Sequence, residues 1–263
     1  MQIAVTREVN AAIDSCELTF LSRIRIDIDL AMEQHQQYQS ALSSLGCEIV
    51  SVPTELGLPD SVFIEDTALV LDEIAVLCRP GVASRRPEVA GVANVLQQYR
   101  TLASIQPPGT LDGGDLLCID KVIYAGLSTR SNQSGIEQLR GIVADYGYTV
   151  KMVETTKCLH LKSAVSVVAS GTLLINPDWI SKSAFADYEL VDVASEESHA
   201  ANALPVAGSL IYSSSYPRTA EKLTACGIDV VPVDVSELQK AEGAVTCCSL
   251  VFTTQQQQRT SGQ

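Results

Sequence analysis

The stretch GGDLLCIDKVIYAG, residues 113–126, decides how this chain folds. Two short apolar runs, DLLCI and VIYAG, flank the polar pair Asp120 and Lys121, and that arrangement predicts a β-hairpin. Beyond it the spacing predicts a helix to about Tyr146 and a strand, YTVKMV, at 148–153.

The same order recurs along the chain. Between Asp66 and Gly81 the runs TALVL and IAVLCR turn at Asp72 and Glu73; a helix to about Tyr99 is expected next, with Ser84 as its cap and Pro87 in its first turn, then the strand TLASIQ. From Leu161 to Pro177, SAVSVVA and TLLIN turn at Ser170 and Gly171, followed by a shortened helical piece at 182–187 and the strand YELVDV. A fourth unit runs from about Pro205 to Tyr216, with a helix to Cys226 and the strand IDVVPV. The fifth is split between the ends: VTCCSLVF near the carboxy terminus, and QIAVT, a helix around 30–45 and CEIVSV at the amino terminus. Self-similarity at about 45 to 50 residues indicates a repeat architecture. The expected fold is therefore α/β: five units of strand, strand, helix, strand around a central axis, closed by pairing the first strand with the last so that no sheet edge is free at the seam. Residues 1–253 are expected to form one domain, and the polar run from 254 to 263 a disordered tail.

Each apolar run opens on polar or ionisable residues: Glu65 and Asp66, Asp112 and Asp115, His160, Asn202, and Cys247 with Cys248. In a ring the equivalent starts of the hairpins meet near the axis, so these residues are candidates for one site. Cysteine is the strongest ordinary nucleophile, but attacks as thiolate and needs a neighbouring cation. Of three histidines only His160 shares the register of Cys247; His35 lies in the polar helix EQHQQY and His199 in the loop EESHAAN. His160 is the candidate proton carrier. Several carboxylates near a thiol disfavour its thiolate unless the ligand is itself a cation, and a guanidinium, which pairs in parallel with carboxylates, fits best. Arg85 and Arg130 occupy matching places after two hairpins, as candidate clamps for a substrate carboxylate.

Composition narrows the partners. The 263 residues carry 31 acidic against 18 basic side chains, a formal charge of −13, which repels phosphate backbones and anionic lipid heads and favours cationic small molecules. Neither a nucleic acid nor a membrane is an expected partner. The eight cysteines show no C-x-x-C spacing, so free thiols in a reducing, cytoplasmic setting are expected, with Cys16, Cys47, Cys78, Cys118 and Cys226 as small core residues.

LPDSVFIEDTALV at 58–70, RPGVASRRPEV at 79–89, TLDGGDLL at 110–117, GLSTRSNQSG at 126–135, LHLKS at 159–163 and TCCSL at 246–250 together resemble the dimethylarginine dimethylaminohydrolases, members of the guanidino-group modifying superfamily. The resemblance extends from about residue 3 to 252 and implies a five-bladed α/β propeller. It implies Cys247 as nucleophile, His160 as general acid and base, and Asp112 orienting the histidine or binding guanidinium. Glu65 and Asp66 would contact the guanidinium, Arg85 and Arg130 the α-carboxylate, Asp60 and the Leu18 backbone the α-amino group, and Phe63 would line the pocket. Glu242 departs from the Asp of other members that contacts substrate.

The implied activity is hydrolysis of Nω-methylated arginines to citrulline and an amine through a covalent thiouronium, with no cofactor, in a monomer or homodimer. An arginine deiminase or another guanidine hydrolase is the alternative enzyme, although no additional helical insertion is visible. An alternative of another class is a zinc-binding regulatory protein, since Cys247, His160, Glu65 and Asp66 are acceptable zinc ligands; inhibitory zinc at those residues is compatible with the hydrolase.

Overall fold

The structure, a computed structural model, describes residues 1–55 and 57–254, so the expected tail lies almost wholly outside the described residues. The chain starts with strand β1 (Gln2–Arg7), helix α1 (Ile28–Ser44) and strand β2 (Cys47–Val52). Four units follow: β3 (Ala68–Val70), β4 (Ile74–Leu77), α2 (Glu88–Leu96) and β5 (Thr101–Ser104); β6 (Leu116–Ile119), β7 (Val122–Leu127), α3 (Gln133–Ala144) and β8 (Thr149–Glu154); the short helix α4 (Leu161–Ala164), β9 (Val165–Ala169), β10 (Thr172–Ile175) and β11 (Glu189–Asp192); β12 (Ala203–Val206), β13 (Ser209–Ser213), α5 (Pro217–Ala225) and β14 (Val230–Val233). The one-turn helix α6 (Ser236–Gln239) leads to β15 (Leu250–Thr253).

Among the described residues every sheet has three strands, and its middle strand pairs antiparallel with the first and parallel with the third. The seam follows the same rule: β1 pairs antiparallel with β15, Gln2 opposite Thr253, and parallel with β2. Sequence-terminal strands thus complete a fifth blade, as the repeat predicts. Five apolar clusters tie successive blades together. One joins Leu71, Ile74 and Val76 to Leu116, Ile123 and Ile136, and another closes the ring by joining Ile3, Val5 and Leu250 to Ile64, Ala68 and Val92. A fully buried Leu or Ile contributes about 1.5–3 kcal/mol, so each interface holds its neighbours through a few such side chains. The first strands β3, β6, β9, β12 and β15 line an axial channel of about 330 Å³.

Local chemistry explains the helices. Asn132 caps α3 by accepting from Gly135 N at 2.8 Å, and Ile136, Leu139 and Val143 form its buried stripe. Asp27 caps α1 in the same way, through Leu30 N at 3.1 Å. The expected Ser84 cap is not made: residues 83–85 form a separate 3-10 turn, α2 starts at Glu88, and the Ser84 hydroxyl donates to Glu17 at 2.6 Å. The helix ends at Leu96 rather than Tyr99. All eight cysteines are free; Cys16, Cys47 and Cys78 are buried, whereas Cys118 is half-buried and Cys226 exposed, contrary to expectation, because Cys226 falls at the solvent-facing end of α5. Among the described residues no helix is long and apolar enough to cross a membrane.

The openers are not the first residues of strands. Glu65 and Asp66 sit on a 3-10 turn, Ile64–Thr67, Asp115 on another, Gly113–Asp115, with Asp112 at its start, and His160 immediately before α4. The turn sends the two adjacent acids to different partners, Glu65 to Lys162 and Thr246 and Asp66 to Arg85 and Gly114. Glu65 and Asp66 are both buried there.

Candidate active site

His160 stands at the centre of the converging openers. Its Nε2 is 3.1 Å from Asp112 Oδ2 and 3.8 Å from Asp66 Oδ1, and the residue is buried. Burial alone would lower an imidazole's pKa, but Asp66, the hydrogen bond to Asp112 and the charge of Asp115 outweigh it and raise it to about 9. His160 is therefore an imidazolium at neutral pH. Gly114 makes this packing possible: a Cβ there would lie 2.6 Å from His160 Nδ1. Asp115 supports the same histidine from behind, its Oδ1 accepting from Leu161 N at 2.9 Å and its Oδ2 from the hydroxyls of Ser128 and Ser131, both at 2.6 Å. Burial raises the Asp115 carboxyl to about 6.

The acids are already partnered within the protein. Asp66 accepts from Arg85 Nη1 at 2.6 Å and from Gly114 N at 2.9 Å; burial opposes its ionisation, but His160 and Arg85 hold it below the ordinary carboxylate range. Asp112 accepts from Gly81 N at 2.9 Å and lies 4.0 Å from Arg130 Nη1. Glu65 accepts from Lys162 Nζ at 2.5 Å and from Thr246 Oγ1 at 2.7 Å, and its own N–H donates to Cys247 O at 3.1 Å.

Arg85 is more committed than its expected role as a clamp suggests. Nε and Nη2 donate to Glu88 at 3.2 and 3.0 Å, Nη2 also to Phe63 O at 3.0 Å, and Nη1 to Asp66. These bonds occupy four of a guanidinium's five N–H groups. Arg130 is the less committed of the two, with Nη2 donating to Thr19 Oγ1 at 2.9 Å.

Cys247 lies on the turn before β15 and is half-buried, while Cys248 beside it is fully buried with its thiol donating to Ala244 O at 3.5 Å. Burial, then Glu65 and Asp66, push the Cys247 thiol well above its ordinary range, so it is un-ionised at neutral pH. A cavity of only about 20 Å³ is lined by Cys247, His160, Asp66, Asp60, Phe63, Arg85 and Arg130, together with Glu17, Leu159, Ala241, Glu242 and Gly243. A larger space of about 430 Å³ adjoins it, sharing Leu159, Glu242 and Gly243 and bounded by Phe20, Leu21, Trp179 and His199.

The segment at 17–21 closes over the small cavity. Glu17 N donates to both oxygens of Asp60, at 3.1 and 3.2 Å, and the Glu242 carboxylate accepts from Thr19 N, Phe20 N and Leu21 N at 2.9, 2.5 and 2.6 Å. Leu18, half-buried, lies between these two attachments. Glu242 holds φ at +59°, a left-handed conformation unusual for glutamate, and this aims it at the segment.

Most expected site residues thus come together around one cavity: Cys247, His160, Asp66, Asp60, Phe63, Arg85, Arg130 and Glu242 line it, while Asp112 backs His160 and Glu65 backs Cys247. For a metal, the grouping among the described residues is Asp66, Asp112 and His160, with ligand atoms all within 4.8 Å; Cys247 and Glu65 fall outside it. The sequence reading missed Glu17, Leu159, Ala241 and Gly243 in the lining, and Lys162, Thr246 and Glu88 behind it. All but Glu17 and Glu88 lie within two residues of an opener or Glu242, which is the signal that could have found them.

A family model described as N,N dimethylarginine dimethylhydrolase, eukaryotic, matches residues 3–253. The chain is 36% identical over 228 residues to the N(G),N(G)-dimethylarginine dimethylaminohydrolase of Pseudomonas aeruginosa, covering 86% of this chain and 90% of that one. It is 38% identical over 243 residues to the Streptomyces coelicolor protein of the same name, covering 89% and 90%. A solved structure of the Pseudomonas aeruginosa protein, a cysteine-to-serine mutant complexed with citrulline, superposes with a TM-score of 0.91 at 33% identity, covering 95% of this chain and 98% of that one.

Proposed function

This chain belongs to the dimethylarginine dimethylaminohydrolase family, and from that premise we propose that it hydrolyses Nω-methylated arginines to citrulline and dimethylamine or methylamine at the cavity of Cys247 and His160. The observation that carries the reading is that the Cys247 thiol and the His160 imidazole line one cavity, with the surrounding acids holding the thiol un-ionised and the imidazole charged with a proton to give. That is the starting state a guanidinium hydrolase needs.

Binding brings a delocalised cation beside Glu65, Asp66 and Cys247. Its charge offsets the two carboxylates that oppose thiolate formation, so the thiol loses its proton to solvent when substrate is bound. The thiolate then adds to the guanidinium carbon, forming the C–S bond. His160 gives its proton to the methylated nitrogen, the C–N bond breaks with its electron pair passing to the departing amine, and a covalent thiouronium remains on Cys247. The now neutral His160, kept in orientation by Asp112, takes a proton from water. That water adds to the same carbon, and collapse of the adduct breaks the C–S bond with its electron pair passing to sulfur, releases the hydroxyl proton to solvent and leaves citrulline and the Cys247 thiolate.

At the amino-acid end, Asp60 and the Leu18 backbone face the α-amino group. Arg130 supplies most of the α-carboxylate clamp, with Arg85 contributing the single N–H that its bonds to Glu88, Asp66 and Phe63 leave over. The chemistry calls for no cofactor. Residues 1–253 act as one catalytic domain in the cytoplasm, in keeping with eight free thiols.

Citrulline release from dimethylarginine, monomethylarginine and arginine tests this directly. The wild type is expected to favour the methylated substrates and Cys247→Ser to be inactive; preference for arginine, or activity retained by Cys247→Ser, would refute it.

A further inference from the structure

Asn202 opens the fourth repeat in register with the site residues, yet the chemistry above leaves it unused. Its buried amide is satisfied at both ends. Oδ1 accepts from Thr246 N at 3.0 Å, and Nδ2 donates to Lys162 O at 3.1 Å and to Thr246 Oγ1 at 2.9 Å. Lys162 O can only accept and Thr246 N–H can only donate, so the amide has one orientation.

That orientation fixes the next bond. Thr246 Oγ1 accepts from Asn202, so its single hydrogen is free to point at Glu65 Oε2, 2.7 Å away. The other oxygen of Glu65 takes Lys162 Nζ at 2.5 Å, and its backbone N–H holds Cys247 O at 3.1 Å. The result is a closed circuit of hydrogen bonds joining four blades: Asn202, Thr246, Glu65, Lys162 and back to Asn202. It holds Thr246, the residue before Cys247, and fills both oxygens of Glu65 with donors.

We propose that Asn202, Thr246 and Lys162 are positioning residues that lock Glu65 in one orientation against Cys247, so that the guanidinium is held in line with the thiol. The proposal deepens the reading of Cys247 as nucleophile and rests on it. Thr246 carries the effect, because its hydroxyl hydrogen-bonds directly to both the Asn202 amide and the Glu65 carboxylate. Loss of that link removes a hydrogen bond to a charged group while leaving packing intact.

The test compares Thr246→Val, which keeps the shape and loses the hydrogen, with Thr246→Ser, which keeps the hydroxyl and loses a methyl group. Thr246→Val is expected to lower kcat/KM for dimethylarginine by roughly 10- to 100-fold, and Thr246→Ser to stay within about threefold of wild type. A packing role alone would give the opposite order, since valine is the closer match in volume. Asn202→Asp, which replaces the directing donor by a carboxylate oxygen, is expected to fall with Thr246→Val, and thermal melting confirms that each variant is folded.

A second readout needs no substrate. With one donor fewer, more of the Glu65 charge bears on Cys247, so at about pH 9 iodoacetamide should alkylate Cys247 at least about threefold more slowly in Thr246→Val and at the wild-type rate in Thr246→Ser, read by peptide mapping. If the wild type released no citrulline from any methylarginine, the functional reading would fall and the alkylation rates would still decide this proposal. Equal behaviour of the valine and serine variants, in turnover or in alkylation, would overturn it.

Discussion

Removing the Glu242 carboxylate should unlatch the segment that covers the site. Glu242 accepts three consecutive backbone N–H groups, from Thr19, Phe20 and Leu21. A hydrogen bond to a charged group contributes about 1.5–3 kcal/mol when buried, and about 1 kcal/mol is reasonable for each at this solvent-facing edge. Three of them total roughly 3 kcal/mol, or about 100-fold in the ratio of closed to open segment. Other attachments remain in Glu242→Ala: Glu17 N still meets Asp60, and Arg130 still meets Thr19.

The segment should therefore open more often without unfolding the ring. Two exposed arginines, Arg23 and Arg25, lie just beyond the latch, so trypsin cleavage after them reports the open population. Glu242→Ala is expected to be cut about 10- to 100-fold faster and to show a KM for dimethylarginine raised by a similar factor, with Glu242→Gln, which keeps one acceptor oxygen, in between. Because alanine also tolerates φ +59° poorly, backbone strain is little changed and does not mimic the effect. Cleavage and KM both at wild-type values would refute the latch.

Three further outcomes follow from the same geometry. Gly114→Ala places a Cβ 2.6 Å from His160 Nδ1 and 2.9 Å from Asp66 Oδ1, so turnover should fall by more than about 100-fold with a smaller loss of thermal stability, measured side by side. The pKa of His160 rises on folding from its ordinary 6.5 to about 9, so its charge stabilises the fold fully below pH 6.5 and is lost as pH rises through about 9; His160→Asn should be less stable than wild type by roughly 3 kcal/mol at pH 6 and nearly equal to it at pH 10 by urea unfolding. His35 is the reverse case: burial holds it down to about 4 and both ring nitrogens lack hydrogen bonds, so stability is present above pH 6.5 and lost as pH falls through about 4, and His35→Phe should flatten that acid limb in denaturant titrations.

The ring was legible because its unit is local. Leu116–Ile119 and Val122–Leu127 declare a hairpin as two short apolar runs on either side of the turn at Asp120, whose φ of +52° the structure supplies, and the repeat then needs only counting. The chemistry-bearing openers were legible through register, since equivalent positions in a ring meet at the axis. What was not legible is whatever depends on contacts between blades. Ser84 reads as a helix cap but bonds to Glu17, 67 residues away, because the covering segment brings that carboxylate to it. Arg85 reads as a free clamp, and only the fold reveals that Asp66 and Glu88 hold it. Glu242 reads as an acid one methylene too long, and only its three backbone partners give that length a use.

Covalent attack by Cys247 is tested most directly by quenching the wild-type protein in acid during turnover of dimethylarginine and of monomethylarginine, then mapping the peptide that contains Cys247 by mass spectrometry. Both substrates are expected to leave one and the same added mass on Cys247, that of the substrate less its amine, and His160→Asn to change how much of it accumulates. No adduct on Cys247 under turnover, an adduct on Cys248 instead, or different masses from the two substrates would contradict a shared thiouronium at Cys247.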